Sequence, residues 1–286
     1  MEKAMNFCGL DGPQSAYENS FFAVLPVPYD ATTSYQAGTR WGPQAIISAS
    51  VYLEWYDEEL ERETCAKGIY TAPYLEADAR GPEYMVASVE QKIGQFLQDG
   101  KVPVLLGGEH SISLGAVRAM KKHFPSLSVL HLDAHADMRD QYQQSPFSHA
   151  CVARRIYELC PIVQVGIRSM SREEADFIKE KNISSLSAHF VMEEENWIEV
   201  ILEKLKGDVY VSIDVDCLDP AYMPATGTPE PGGLTYREVV GLMKAVTENF
   251  RVRGFDVVEL SPISGLTAPD FLCARLVYRL MGYLSK

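Results

Sequence analysis

An α/β fold is expected for this chain, with three layers in which helices cover both faces of a central, mostly parallel β-sheet. Apolar runs of strand length alternate with segments of helical pattern from residue 21 to residue 284. These runs lack the strict apolar–polar alternation of half-exposed strands, which favours strands buried on both faces. No linker, internal repeat or low-complexity tract interrupts the 286 residues, so we expect one domain over residues 1–286.

Six apolar runs account for the predicted strands. They cover residues 21–26, 102–106, 127–133, 162–167, 208–214 and 254–260. Eight helical segments lie between and after them, at residues 42–51, 84–97, 113–124, 149–159, 172–181, 195–205, 236–249 and 268–284. The second helix carries one apolar stripe with a spacing of four residues, formed by Met85, Val89, Ile93 and Leu97. Thr235, followed three residues later by Glu238, has the signature of a helix N-terminus.

The composition narrows the class of protein. Hydrophobic residues make up 47% of the chain, enough for an ordered core, and 26 Lys and Arg against 39 Asp and Glu give a net charge of −13. This acidity disfavours nucleic acid as a partner and is compatible with a small cationic substrate. No apolar stretch approaches the ~18 residues of a membrane span. Residues 1–10 lack a signal-peptide core, and the six cysteines form no CxxC pair, so we expect a cytoplasmic protein with reduced thiols.

The stretch DAHAD at residues 133–137 is the most informative one in the chain. Asp133, His135 and Asp137 stand at positions i, i+2 and i+4, which place three side chains on one face of extended backbone. They follow an apolar strand, where two carboxylates and an imidazole without partners are costly to bury. A bound cation removes that cost, so this stretch is predicted to ligate metal.

Similar residues stand at two other predicted strand ends. Asp214 and Asp216 close the strand 208–214, and His110 follows the strand 102–106. An isolated DxD is usually a solvated turn, but the three strand ends together supply four carboxylates and two imidazoles. This set balances two divalent cations, and its oxygen-rich chemistry suits Mn²⁺ better than structural Zn²⁺. We interpret His131, inside its apolar strand, as a packed residue near the site.

These segments resemble the signature blocks of the ureohydrolases, the arginase/agmatinase family. The blocks are GGEHS at 107–111, DAHAD at 133–137 and SIDVDCLDP at 212–220, the last continuing into GTPEPGGL at 227–234. The segment DVVELSP at 256–262 is similar to the family's C-terminal block, and residues 29–43 are similar to its N-terminal block. The resemblance covers nearly the whole chain in the expected order and implies the arginase-like fold.

The resemblance also implies residue roles. Members of the family use two Mn²⁺ ions to hydrolyse a guanidinium group to urea and an amine, and they are commonly trimers or hexamers. One metal would be held by His110, Asp133, Asp137 and Asp214, and the other by His135, Asp133, Asp214 and Asp216. Asp137 would also pass a proton to the leaving amine, His149 would shuttle a proton or contact the leaving group, and Glu259 would bind the guanidinium.

Structural roles compete with two of these assignments. His149 can simply begin the helix that follows it, and Glu259 can be a structural carboxylate within its strand. Glu109, next to His110, is expected to orient that ligand.

The loop of residues 138–149 favours agmatine as the substrate. It lacks the Asn/Ser-rich pattern with which arginases bind the α-carboxylate and α-amine, and Phe147-Ser148-His149 followed by Arg154-Arg155 looks more like the agmatinase version. We therefore expect agmatine to be hydrolysed to putrescine and urea. Arg139 is a candidate carboxylate-binding residue, which leaves guanidinobutyrate and arginine open as substrates. The segment 262–267 also looks shorter than the family's usual stretch.

Two further classes of protein share this fold. A deacetylase-like hydrolase would carry one Zn²⁺ and lack part of the second ligand set. A non-catalytic relative would act as a binding protein and usually lacks ligands. All six expected ligands are present in this chain, which disfavours both alternatives.

Overall fold

The computed structural model describes residues 5–285. Its main element is an eight-stranded sheet in which every strand is parallel to its neighbours, and helices flank it on both faces. The predicted three-layer α/β fold is therefore confirmed. Residues 1–4 of the N-terminal segment considered above, and residue 286, lie outside the described residues.

The strands and helices are numbered in chain order. The strands are β1 (Phe22–Val27), β2 (Tyr56–Asp57), β3 (Arg62–Glu63), β4 (Ile69–Thr71), β5 (Val102–Gly107), β6 (Ser128–Leu132), β7 (Ile162–Ile167), β8 (Ser184–Ser187), β9 (Asp208–Asp214) and β10 (Arg251–Val258). The α-helices are α1 (Gly42–Ser50), α2 (Pro82–Gln98), α3 (Ser113–His123), α4 (Val152–Tyr157), α5 (Arg172–Lys181), α6 (Ala188–Glu193), α7 (Trp197–Lys204), α8 (Tyr236–Asn249) and α9 (Ala268–Leu284).

The sheet separates two apolar cores. Its strand order is β4-β1-β5-β10-β9-β6-β7-β8, and β2 and β3 form a separate antiparallel pair. On one face, side chains such as Val104 and Val211 pack with residues of α1, α8 and α9. On the other face, their neighbours Leu105 and Tyr210 pack with residues of α2 and α3. Successive strand residues thus enter opposite cores, which explains why the strands read as continuous apolar runs.

Several boundaries differ from the expectation. The helix predicted at 149–159 begins as the 3₁₀ turn His149–Cys151 and continues as the short α4. The strand predicted at 254–260 begins earlier and ends at Val258, so Glu259 lies just beyond it. Four strands (β2, β3, β4 and β8) and the short helix α6 were not predicted.

The topology brings the predicted ligands to one edge of the sheet. Strands β5, β10, β9 and β6 are consecutive neighbours in its centre, and their carboxyl ends lead into His110, Glu259, Asp214 and Asp133 respectively. Parallel strands place such residues at the same edge, where open α/β sheets bind ligands. Across residues 5–285, none of the helices combines the length and apolar character that a membrane span requires.

Candidate metal centre and catalytic site

Three carboxylates converge on the imidazole of His110. Its Nδ1 lies 3.1 Å from Oδ2 of Asp133, 3.2 Å from Oδ2 of Asp214 and 3.7 Å from Oδ2 of Asp137. All four side chains are buried. Neither His110 Nδ1 nor Asp133 Oδ2 makes a hydrogen bond of acceptable geometry. Buried polar atoms without partners at the centre of three carboxylates indicate a site built for a cation.

The other nitrogen of His110 fixes its tautomer. Nε2 lies 2.9 Å from the hydroxyl of Ser212, whose own proton is donated to Oδ1 of Asp256 at 2.8 Å. Tyr210 donates to the second oxygen of Asp256 at 2.9 Å. His110 must therefore donate its proton from Nε2, which leaves the Nδ1 lone pair facing the carboxylates. This is the arrangement of a histidine that ligates metal through Nδ1.

A second cluster shares Asp133 with the first. Nδ1 of His135 lies 3.0 Å from Oδ2 of Asp216 and 3.7 Å from Oδ1 of Asp133. The ligand atoms of Asp133, His135 and Asp216 lie close enough together to hold one ion. Asp214 belongs to the first cluster and adjoins the second, since its Oδ1 accepts a hydrogen bond from the backbone N–H of Asp216 at 2.9 Å. The fold thus assembles all six predicted ligands into two adjoining groups.

His131, which the sequence analysis interprets as a packed residue near the site, contacts two of the predicted ligands directly. Its Nε2 lies 3.0 Å from Oδ2 of Asp133, and its ring stacks on His110 with centroids 4.7 Å apart. It is close enough to form a possible ligand group with His110, Asp133 and Asp137. The signal was available in the sequence, since residues 131 and 133 are two apart on extended backbone and share a face.

The acidic groups of the centre perturb one another. Burial, and then the charges of Asp216 and Asp133, raise the pKa of Asp214 well above its ordinary value. Burial lowers the pKa of His135, but the carboxylates of Asp133 and Asp216 offset this and bring it to about 12. Like charges held this close favour a cation at the centre.

Glu109 does not contact the side chain of His110, contrary to the expectation. Its buried carboxylate instead accepts hydrogen bonds from Thr32 and Ser111. The backbone N–H of His110 is held by Glu259, whose Oε1 accepts it at 2.6 Å. Nothing in the residues around Glu109 indicates that its side chain turns toward another loop.

A cavity of about 260 Å³ lies over the two clusters. Its lining includes four of the six predicted ligands, His135, Asp137, Asp214 and Asp216, and the buried Glu259. The less buried His149, Arg139 and Tyr142 also line it. The buried acids form its floor. Glu259 is 8% exposed, and burial, followed by the charges of Asp214 and Glu109, raises its pKa well above the ordinary value. A cation in the cavity would relieve this unfavourable burial.

Arg139 is partly engaged within the protein. Its Nε lies 3.8 Å from Oε2 of Glu174, and its guanidinium lies over the ring of Tyr142 at 5.2 Å. Glu174 is only 4% exposed, and its carboxylate accepts hydrogen bonds from the backbone of Met138 and from Ser171. The positive charge of Arg139 is therefore partly balanced before any ligand binds.

Two residues of the site have a left-handed backbone. Asp137 has φ 51° and Glu259 has φ 66°. This region is unfavourable for residues with a side chain and is commonly occupied by glycine. Both residues turn the chain directly at the cavity floor.

Comparison with known proteins identifies the family of this chain. The sequence profile of the arginase family matches residues 20–282. An N(1)-aminopropylagmatine ureohydrolase of Synechocystis sp. is 42% identical over 277 residues, covering 94% of this chain and 90% of the relative. An agmatinase of Bacillus anthracis is 36% identical over 253 residues, covering 87% and 86%.

Solved structures give the same answer. The crystal structure of agmatine ureohydrolase of Thermoplasma volcanium superposes with a TM-score of 0.89 at 34% sequence identity, covering 99% of this chain and 94% of that one. This chain belongs to the arginase family.

Proposed function

We propose that this protein is a binuclear manganese ureohydrolase. It would hydrolyse the guanidinium group of agmatine, or of N1-aminopropylagmatine, to urea and an amine. The observation that carries the proposal is the pair of carboxylate–imidazole clusters that share Asp133, next to a cavity that Asp137, Asp214 and Glu259 line. The agmatinase and ureohydrolase relatives support the same reaction.

The donor set fits two divalent cations. One would be held by His110, Asp133, Asp137 and Asp214, and the other by His135, Asp133, Asp214 and Asp216. The unpartnered Nδ1 of His110 and Oδ2 of Asp133 support this fit. Four carboxylates with two imidazoles favour Mn²⁺ over structural Zn²⁺. When bound, such ions lower the pKa of water and so supply a nucleophile at neutral pH.

Glu259 would bind the guanidinium of the substrate. One of its oxygens accepts the His110 N–H, which fixes the carboxylate, and its side chain lines the cavity. A planar guanidinium donates paired N–H groups that match a carboxylate. The charge of the substrate would also stabilise the ionised form of this buried acid.

Asp137 and His149 would manage the protons of the reaction. Both line the cavity, Asp137 at the floor and His149 on the wall. The amine leaves only after it is protonated, so a group that moves a proton from the attacking water to the amine is required. Burial is the main cause that lowers the pKa of His149 to about 4, which keeps its imidazole neutral and able to accept a proton at neutral pH.

Arginine is disfavoured at the outer part of the cavity. Its α-carboxylate would need a free cationic partner, and Arg139 already faces Glu174 and Tyr142. Agmatine has no carboxylate and avoids this cost. The acidic chain, with its net charge of −13, also suits a substrate that carries two positive charges.

N1-aminopropylagmatine is the second candidate substrate. The relative from Synechocystis sp., at 42% identity, carries this specificity in its name, and so do relatives from Thermus thermophilus at 40%. Both candidates present the same guanidinobutyl end to Glu259 and differ only at the far amine. Hydroxyl and amide side chains line the outer cavity there, including Thr33, Ser34 and Gln36.

A urea-release assay with added Mn²⁺ tests the proposal. We expect urea from agmatine or N1-aminopropylagmatine, with arginine and guanidinobutyrate much poorer, and two metal ions per chain by elemental analysis. One Zn²⁺ per chain would favour the deacetylase-like alternative, and absence of both metal and urea would favour a binding protein. Assembly as a trimer or hexamer and a cytoplasmic location stay predictions.

A further inference from the structure

We propose that Glu109 and Thr32 are positioning residues that fix the tautomer of His149, with the proton on Nδ1 and the lone pair on Nε2. The inference rests on the proposed function, because it concerns how the histidine assigned there is prepared to accept a proton. Neither residue belongs to the metal ligands or to the residues assigned to substrate binding.

The contact between Thr32 and His149 is double. The Thr32 hydroxyl oxygen accepts the backbone N–H of His149 at 3.0 Å and lies 3.2 Å from its Nδ1. These residues are 117 positions apart in the sequence. Ser148 Oγ also lies near Nδ1, but at the longer distance of 3.4 Å. Thr32 therefore holds both the backbone and the ring of His149.

The proton of the Thr32 hydroxyl is already used. It is donated to Oε1 of Glu109 at 2.8 Å, while the backbone N–H of Thr32 is donated to Oε2 at 2.5 Å. Ser111 donates a further hydrogen bond to Oε1 at 2.5 Å. Both oxygens of this buried carboxylate therefore act as acceptors, of three hydrogen bonds in all.

The tautomer of His149 follows from this count of protons. Because Thr32 Oγ1 has no proton left to donate toward His149, Nδ1 can form a favourable contact with it only as a donor. Burial keeps the imidazole neutral, with a pKa of about 4, so the second nitrogen carries no proton. Nε2 is then the proton acceptor, as in catalytic sites where a third group orients the base.

The loop that carries Thr32 is tightly held. The backbone N–H groups of Gly108 and Glu109 donate to the carbonyls of Val27 and Tyr29 at 2.9 and 2.7 Å. A side chain at Gly108 would place its Cβ 2.0 Å from the carbonyl oxygen of Tyr29. The loop and the Gly-Gly-Glu segment therefore act as one rigid unit, which is what accurate positioning of His149 requires.

Glutamine at position 109 provides a sharp spectroscopic test. The side-chain oxygen of the glutamine would have to accept the backbone N–H of Thr32. Its side-chain NH2 group would then point at the Thr32 hydroxyl and donate to it. That hydroxyl would then donate to His149 Nδ1 and reverse the tautomer. Nitrogen-15 NMR of histidine-labelled, full-length protein in diamagnetic Mg²⁺ should show Nε2 as the unprotonated nitrogen of His149 in the wild type and Nδ1 in Glu109→Gln. The signal is assigned by its loss in His149→Asn.

Kinetics test the same relationship through turnover. Thr32→Val should lower kcat by about 10- to 100-fold with KM and metal content nearly unchanged, as expected for loss of an oriented base. Thr32→Ser keeps the hydroxyl and should retain activity within about threefold of the wild type. Thr247→Val, the same kind of change at an exposed site, serves as the control.

The double variant separates the possible outcomes. If Thr32 acts through His149, Thr32→Val should have no further effect in a His149→Asn background. The inference would be overturned if the losses of kcat in the two single variants multiplied in the double variant. It would also be overturned if Nδ1 of His149 were the unprotonated nitrogen in the wild type. If the wild type releases no urea from any guanidino compound, the proposed function fails, while the NMR measurement still tests the tautomer independently.

Discussion

The backbone N–H of His110 donates to Oε1 of Glu259 at 2.6 Å, so a predicted metal ligand and the proposed guanidinium-binding acid hold each other in place. The contact joins residues 149 positions apart, at the carboxyl ends of the neighbouring strands β5 and β10. Substitutions of Glu259 can therefore affect the metal and the substrate separately, depending on whether an accepting oxygen remains.

Glu259→Gln should separate the two effects. Its amide oxygen can still accept the His110 N–H, so we expect metal content near that of the wild type. Its neutral amide cannot replace a charge-assisted pair, so kcat/KM should fall by about 100-fold or more. Glu259→Ala should lower both activity and metal content. Steady-state kinetics with elemental analysis check both variants, and near-normal activity in Glu259→Gln would contradict the assignment.

Removal of metal should abolish turnover. In the first cluster the carboxylates of Asp133 and Asp214 both face Nδ1 of His110, and one proton on that nitrogen cannot bind to both. In the second cluster Asp216 faces Nδ1 of His135. Bound cations would compensate these buried carboxylates, so the native arrangement depends on them. Dialysis against a chelator should eliminate urea release, and added Mn²⁺ should restore it. The melting temperature should also fall on chelation, because ions that bind the native state stabilise it. Full activity in rigorously metal-free protein would exclude the proposed chemistry.

Asp133→Asn and His149→Ala should give opposite metal phenotypes. Asp133 faces both His110 and His135, so its replacement should lower occupancy of both metal positions and activity together. His149 contacts Thr32 instead of the clusters, so His149→Ala should keep the metals and lose turnover. Elemental analysis of the purified variants distinguishes these cases. Loss of metal in His149→Ala would show that the loop after DAHAD is placed incorrectly.

Discrimination against arginine should arise at the outer cavity. We expect agmatine or N1-aminopropylagmatine to exceed arginine by at least about 100-fold in kcat/KM, since an unpaired buried carboxylate costs about 2–3 kcal/mol. Arg139→Ala should change agmatine turnover little, because this arginine faces Glu174. If guanidinobutyrate proves the better substrate and Arg139→Ala removes that preference, the assigned substrate is wrong while the ureohydrolase assignment stands.

The position of the candidate ligands at one edge of the sheet was easier to predict from the sequence than the edge strands. The ligands follow strong apolar runs, and parallel strands necessarily bring such ends together. The edge strand β8 has the sequence SSLS, with Leu186 its one buried side chain, so nothing in its composition indicated a strand. The edge strand β4 is only three residues long. Each of these edge strands is hydrogen-bonded to one neighbour only, β4 to β1 and β8 to β7, and forms a strand because that neighbour is present.

The surroundings of the site were less predictable than its ligands. Thr32 lies in a loop without regular structure, and its partners Glu109 and His149 are 77 and 117 residues away. Such contacts depend on the path of the loop in three dimensions. For the same reason, Glu109 was assigned to the wrong neighbour, because adjacency in sequence does not determine where a side chain points.

The left-handed backbone at Asp137 and Glu259 implies that activity and heat resistance oppose each other at the cavity floor. Each such conformation costs about 1–2 kcal/mol for a residue with a side chain and almost nothing for glycine. Burial, followed by the charge of Asp133, also raises the pKa of Asp137 well above its ordinary value, so Asp137→Gly would remove an unfavourably buried acid from the metal-free protein. A selection for thermal survival of the metal-free protein should therefore enrich glycine at position 137, and every protein recovered that way should be inactive. The chain keeps two strained backbone conformations at positions where the side chains are needed for activity.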